Sequence, residues 1–202
     1  MGVWVVAAPE LNRLLILAKE KYGIEGEQQV SQWLDMIQGQ VATDEKAKLI
    51  LVNDFFNQRI QFSTDQLIWG SKDYWATPLE TLGHQQGDCE DFSIAKYVSL
   101  LKLGVSVDKL RLTYVKAQVN GKSFAHMVLA YYESPVAEPL ILDNLSADVM
   151  PASRRSDLSP VFSFNSAGLW VGSSRQAKIK KPETRLSRWR DVLIRMQAEG
   201  LQ

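Results

Sequence analysis

Gly87-Asp88-Cys89-Glu90-Asp91-Phe92, with the apolar run that follows it, decides how this chain is read. From Phe92 onward Ile94, Ala95, Val98, Leu101 and Leu103 recur at helical spacing, and Gly104 is a residue suited to stop a helix. A helix that begins in the acidic stretch puts Cys89 at its N-terminus. There the unpaired backbone N–H groups and the positive end of the helix dipole favour a thiolate and can hold an oxyanion. Cys89 is the single cysteine of the chain, so an intramolecular disulfide and a cysteine-based zinc cluster are both excluded. It is either a reactive group or small buried filler.

Upstream, Thr77-Pro78-Leu79-Glu80 places a capping threonine, a proline at the first helical position and a glutamate that closes a capping box, which predicts a short helix ending at Gly83. Three longer helical patterns precede it, over residues 9–22, 27–38 and 43–58. Leu14, Leu15 and Ala18 mark the apolar face of the first, and Leu49, Val52, Phe55 and Phe56 that of the third. Gly23 and Gly39 punctuate the first two, and Thr43-Asp44-Glu45 supplies a cap and a first-turn acid for the third.

Downstream the period changes from helical to alternating. Residues 110–119 and 124–132 read as two antiparallel strands joined by Asn120-Gly121, the strongest short hairpin signal. Counting outward from a two-residue turn, Val119 faces Lys122 and Val115 faces His126. A third strand, 139–142, ends at Asp143, a fourth is expected over 161–171, and a last helix over 183–198. With 202 residues, the chain is expected to form one bilobed domain: a mostly helical part (9–104) that includes the Cys89 helix, antiparallel strands (105–172) and the C-terminal helix.

Twenty-three basic and twenty-three acidic residues give a formal net charge of zero, so no whole-molecule field attracts nucleic acid or anionic lipid. The apolar start, residues 1–8, lacks a basic flank and stops at Pro9; it is too short for a signal peptide or a membrane span. Between Arg175 and Arg195 basic side chains outnumber Glu183 and Asp191. That segment reads as a solvated helix face with ordinary ion pairs, or as a surface for acidic partners or lipid, and is assigned no function.

Two histidines make the search for a base short. His84 sits in a turn before Cys89. His126 sits on a strand whose neighbour ends at Asp143, an arrangement that can set an imidazole beside a carboxylate, which fixes its tautomer and stabilises its charged form. Taken singly, His126 could be a satisfied core residue and Asp143 a strand-end turn former. Together with a cysteine at a helix start they form a nucleophile, base and orienting acid. The oxyanion would bind the Cys89 N–H, with a second donor from His84, Gln86 or Trp75.

Gly87-Asp88-Cys89-Glu90-Asp91-Phe92, Ala95-Lys96-Tyr97, His126-Met127-Val128-Leu129 and Leu142-Asp143-Asn144 resemble the bacterial transglutaminase-like cysteine proteases of the LapG type. The resemblance runs over about residues 74–170, including Trp75-Ala76-Thr77-Pro78, Pro151-Ala152-Ser153 and Phe162-Ser163-Phe164-Asn165. It implies an α+β, papain/transglutaminase-like fold, with an N-terminal helical lobe and an antiparallel sheet packed on the Cys89 helix, and Cys89, His126 and Asp143 as the catalytic triad. It also implies a calcium-dependent, periplasmic endopeptidase that cuts the N-terminal region of a large biofilm adhesin at a pair of alanines. Cleavage would release the adhesin, and an inner-membrane receptor responsive to cyclic di-GMP would control the protease. For Ca²⁺ there is a physical motive as well: Asp88, Glu90 and Asp91 crowd a thiol that must ionise, and a cation with a preference for oxygen ligands would neutralise them. The same three acids are also what a helix N-terminus prefers without metal. An acyl transferase with the same triad, or a non-catalytic calcium-binding interaction domain, are the alternatives.

Overall fold

The computed structural model describes residues 8–39, 44–172, 177 and 179–201. The apolar segment 1–7, Thr43, Arg175 and Lys178 lie outside the described residues. Helix α1 (Ala8–Gly39) is two helical segments that meet at Gly23, whose φ of 71° and ψ of −165° break the helix where the two sequence patterns part. Helix α2 (Glu45–Arg59) starts at Asp44, whose side chain accepts a hydrogen bond from the Ala47 N–H at 2.9 Å. After β1 (Gln61–Phe62) and one turn of helix, α3 (Asp65–Ile68), comes α4 (Pro78–His84). Its capping box is complete: the Glu80 N–H donates to Thr77 Oγ1 and the Thr77 N–H to Glu80 Oε2.

The short strand β2 (Gln86–Gly87) leads into α5 (Cys89–Lys102), the helix of the opening motif. β2 pairs in parallel with β1, Gln61 opposite Gln86 and Phe62 opposite Gly87. That two-residue ladder, too short to show any alternation in sequence, holds the approach to Cys89 against the end of α2.

A six-stranded antiparallel sheet follows: β3 (Leu110–Val119), β4 (Lys122–Tyr131), β5 (Leu140–Leu142), β6 (Met150–Pro151), β7 (Leu158–Phe164) and β8 (Leu169–Val171), in the order β6-β5-β4-β3-β7-β8. Asn120 and Gly121 both have positive φ, 51° and 75°, as the predicted two-residue turn requires. The register is the one counted from sequence, with Val119 opposite Lys122 and Val115 opposite His126. The single strand expected over 161–171 is instead a hairpin of β7 and β8, in which Phe162 pairs with Val171 and Phe164 with Leu169. Asn165 makes the turn, its Oδ1 accepting from the Ala167 and Gly168 N–H groups. Alternation continues on both sides of that side-chain turn, which is why one strand was expected.

α5 lies on one face of the sheet, where Met127, Leu129 and Tyr131 of β4 join a hydrophobic core that also takes residues from α1, α2, α4 and the C-terminal helix α6 (Ser187–Glu199). Val128 and Ala130 belong to a smaller cluster on the opposite face with Val115 and Ile141. Ser93 Oγ ties α5 to β4 by donating to the Met127 carbonyl at 3.1 Å. α6 buries Trp189 completely, edge-on to Phe164 and Tyr97. Its basic residues meet partners within the chain: Arg188 with Asp73, Arg190 with Asp191, and Arg195 with Glu80 and the Trp75 carbonyl. The ion-paired reading of this segment therefore holds for Arg188, Arg190 and Arg195, and α6 braces the loop that leads to the capping box.

Gly87 is demanded by packing. A methyl group there would lie 2.8 Å from Asp91 Cβ and 3.0 Å from Asp91 Oδ2. Gly87→Ala is expected to cost about 1–3 kcal/mol of stability, read as a lower urea midpoint with an unchanged slope; an unchanged midpoint would mean that this approach segment gives way freely.

Candidate active site

Cys89 is the first residue of α5 and Asp88 its N-cap, with extended backbone. What fixes this helix start is Asp91, fully buried, whose Oδ1 accepts from the Ala76 N–H at 2.7 Å and whose Oδ2 accepts from the Asp88 N–H at 3.2 Å. One carboxylate thus joins the loop before α4 to the first turn of α5. The Cys89 thiol donates to Glu90 Oε2 at 2.7 Å, and the Tyr114 hydroxyl donates to Glu90 Oε1 at 3.3 Å. A helix start was expected to favour the thiolate. In this structure burial, then the adjacent Glu90 carboxylate, push the thiol far above its usual range, and the Met127 backbone N–H acts in the opposite direction.

That N–H places the sulfur beside β4 at the residue next to His126. His126 is in phase with Val128 and Ala130 along the strand, and β5 covers β4 only opposite Leu129, Ala130 and Tyr131. His126 thus lies beyond the stretch of β4 that β5 covers. His126 is 3% exposed and its Nε2 lies 2.7 Å from Asp143 Oδ1. With Nε2–H donated to Asp143, Nδ1 is the nitrogen left to take a proton. Asp143 follows directly on β5, 1% exposed; Oδ1 also accepts from the Leu145 N–H at 3.0 Å, and Oδ2 from Arg155 Nη2 at 2.7 Å. Burial would raise its carboxyl, but the hydrogen bonds from His126, Leu145 and Arg155 together bring it down to about 2.

Arg155 was not foreseen. Buried at the end of a short 3₁₀ turn, it is itself held by Asp157 through Nε and Nη2. In the sequence it is one of many arginines, and nothing local links it to Asp143. The candidates for a second oxyanion donor part company. His84 is packed edge-on between Tyr22 and Trp69, whereas Trp75 is buried beside Tyr114, the partner of Glu90.

The acids form two overlapping groups. Donor atoms of Asp88, Cys89 and Glu90 lie within 4.8 Å of one another, and so do those of Asp65, Asp88 and Asp91. Asp65, on the one-turn helix α3, was not anticipated, since only the fold brings it to Asp88. Asp88 Oδ1 and Asp65 Oδ1 are buried without a hydrogen-bond partner. Burial, with Glu90 and Asp91 alongside, pushes the Asp88 carboxyl up to about 9; burial likewise carries Asp91 to about 8 despite its two backbone donors. Crowded hard oxygen donors, two of them orphaned, fit a divalent cation such as Ca²⁺.

A family model described as bacterial transglutaminase-like cysteine proteinase matches residues 25–161. The chain belongs to this family. It is accordingly a cysteine protease by descent, with the α+β fold expected of one. Among solved structures, LapG of Legionella pneumophila in an EGTA-treated form is 38% identical, with a TM-score of 0.80 over 92% of this chain and 97% of that one. The calcium-bound form of the same protein is 37% identical, with a TM-score of 0.79 over 92% and 98%. No curated protein matches the chain. Among the described residues, no helix is long and apolar enough to cross a membrane.

The depressed Asp143 carboxyl makes a prediction about acid stability. An unfolded aspartate titrates near pH ~3.9, so the stability Asp143 contributes is fully present above that value and is lost as pH falls from about 4 towards 2. Urea unfolding of the wild type and of Asp143→Asn between pH 7 and pH 2 should show a steeper acid decline in the wild type. Curves of the same shape would mean that the His126 and Arg155 contacts do not stabilise the ionised acid.

Proposed function

We propose that this protease uses Cys89 as nucleophile, His126 as general base and Asp143 as the acid that orients the base. The observation that carries the reading is the buried His126 Nε2 to Asp143 Oδ1 contact of 2.7 Å, on a strand whose next residue reaches the Cys89 sulfur. His126 Nδ1 takes the thiol proton, the sulfur attacks the scissile carbonyl carbon, and the developing oxyanion lies at the Cys89 N–H on the helix start. When the carbon–nitrogen bond breaks, the amine leaves with the proton from His126. Water, deprotonated in turn by His126, attacks the thioester and frees the thiol. Asp143 keeps the Nε2–H in place throughout and stabilises the imidazolium.

The protease is, in this proposal, calcium-dependent. Asp88 and Glu90 would hold the ion, with Asp91 and Asp65 beside them; support comes from the orphaned Asp88 and Asp65 oxygens and from the calcium-bound form of the Legionella protein. A bound cation neutralises the carboxylates that otherwise oppose ionisation of the thiol. Substrate, compartment and regulation follow from the resemblance over residues 74–170: a periplasmic enzyme that cuts the N-terminal region of a large biofilm adhesin at a paired-alanine site, under an inner-membrane receptor responsive to cyclic di-GMP.

A purified adhesin N-terminal fragment containing a paired-alanine site should be cleaved in Ca²⁺, with a loss of at least about a thousandfold in rate on Cys89→Ala and a comparable loss on chelation. Cleavage that survives Cys89→Ala removes Cys89 from the mechanism, and cleavage that survives chelation leaves the acidic cluster as a helix cap. Crosslinking of the fragment to added amines in place of hydrolysis would point to acyl transfer.

A further inference from the structure

On the far side of Asp143 lies a buried polar network that the catalytic reading leaves unused. Lys96 is fully buried, two helical turns after Cys89 on α5. Its Nζ donates to Asn53 Oδ1 and to Asn57 Oδ1, each at 2.8 Å, and lies over the Phe92 ring at 5.6 Å. Both oxygens belong to amides; among the described residues, no carboxylate forms an ion pair with Lys96. The two amides turn their other ends to one loop. Asn57 Nδ2 donates to the backbone carbonyls of Asp143, at 2.8 Å, and Ser146, at 3.1 Å; Asn53 Nδ2 donates to the Ala147 carbonyl at 2.8 Å.

An ammonium can only donate and a carbonyl can only accept. Each asparagine bridging the two must therefore point its oxygen at Lys96 and its nitrogen at the loop. Replacing the lysine by an apolar group removes the reason for that orientation, and a flipped amide would set its oxygen against the Asp143 carbonyl. A buried ammonium is costly to keep, and two amide oxygens repay that poorly. Burial brings Lys96 down to about 7, opposed by the Asp143 and Asp54 carboxylates.

We propose that Lys96 is a positioning residue for the acid and base: by locking the Asn57 and Asn53 amides it sets the loop from which Asp143 reaches His126. This inference rests on the reading of Asp143 as the group that orients His126. It joins the helix of the nucleophile to the loop of the acid through α2, so that the two sides of the site are held to one another by Lys96, Asn53 and Asn57.

The test is the ring ¹⁵N spectrum of His126, which is simple because the chain has two histidines and His84 serves as the internal control. In calcium-loaded wild type at neutral pH, His126 should be a single tautomer protonated at Nε2. In Lys96→Met it should become a mixture of tautomers, with kcat for the cleavage assay down about tenfold to a hundredfold and KM unchanged. A His126 signal in Lys96→Met identical to wild type would overturn the inference. Asp143→Asn, recorded alongside, separates the two levels: if it too leaves His126 as in wild type, the role given to Asp143 has failed instead. Should Lys96→Met not fold, Asn57→Ala, at a half-buried position with Lys96 still bonded to Asn53, is read by the same two outcomes.

Discussion

Two hydrogen bonds to Asp91 hold the rest of the site in place. By accepting from Ala76 and Asp88, this fully buried carboxylate sets where α5 begins and joins that point to the loop before α4. Gly87 has to be a glycine because Asp91 occupies the space a side chain would need. The capping box at Thr77 and the pairing of Arg195 with Glu80 hold the other end of the same loop. Only with the helix start fixed in this way does the Cys89 sulfur arrive beside β4.

The same arrangement creates an electrostatic conflict. A helix N-terminus favours a thiolate, yet burial, with Glu90 and Asp88 beside the sulfur, outweighs the dipole, whose effect is about 0.3–1 kcal/mol at an exposed terminus. A cluster that opposes ionisation of the thiol, while leaving two carboxylate oxygens buried without partners, is one that a cation would complete. Around Asp143 the balance runs the other way. Donors from His126, Leu145 and Arg155 outweigh burial, so the acid is ionised and the imidazole is held by a charge that is itself held.

Much of this was legible in the sequence where a local rule governs. The helix start at Cys89, the capping box and the glycine break in α1 depend on neighbours a few residues apart. The Asn120-Gly121 turn fixed the strand register as far as His126, because a two-residue loop leaves no freedom to slip. Asp143 could be found because strands end in recognisable ways. Arg155, Asp65 and the Lys96, Asn53 and Asn57 network could not, since each is a polar side chain whose partner is distant in sequence and carries no period. The β7 and β8 hairpin was missed for a related reason: its turn is made by the side chain of Asn165, not by a glycine signal in register.

The central claim is that Cys89 is a nucleophile activated by His126. With one cysteine in the chain, alkylation by iodoacetamide reports on that residue alone. In the calcium-loaded protein at neutral pH, Cys89 should react at least about tenfold faster in the wild type than in a folded His126→Ala variant, with loss of cleavage activity in step with the modification. Slow alkylation at the same rate in both proteins would contradict the account.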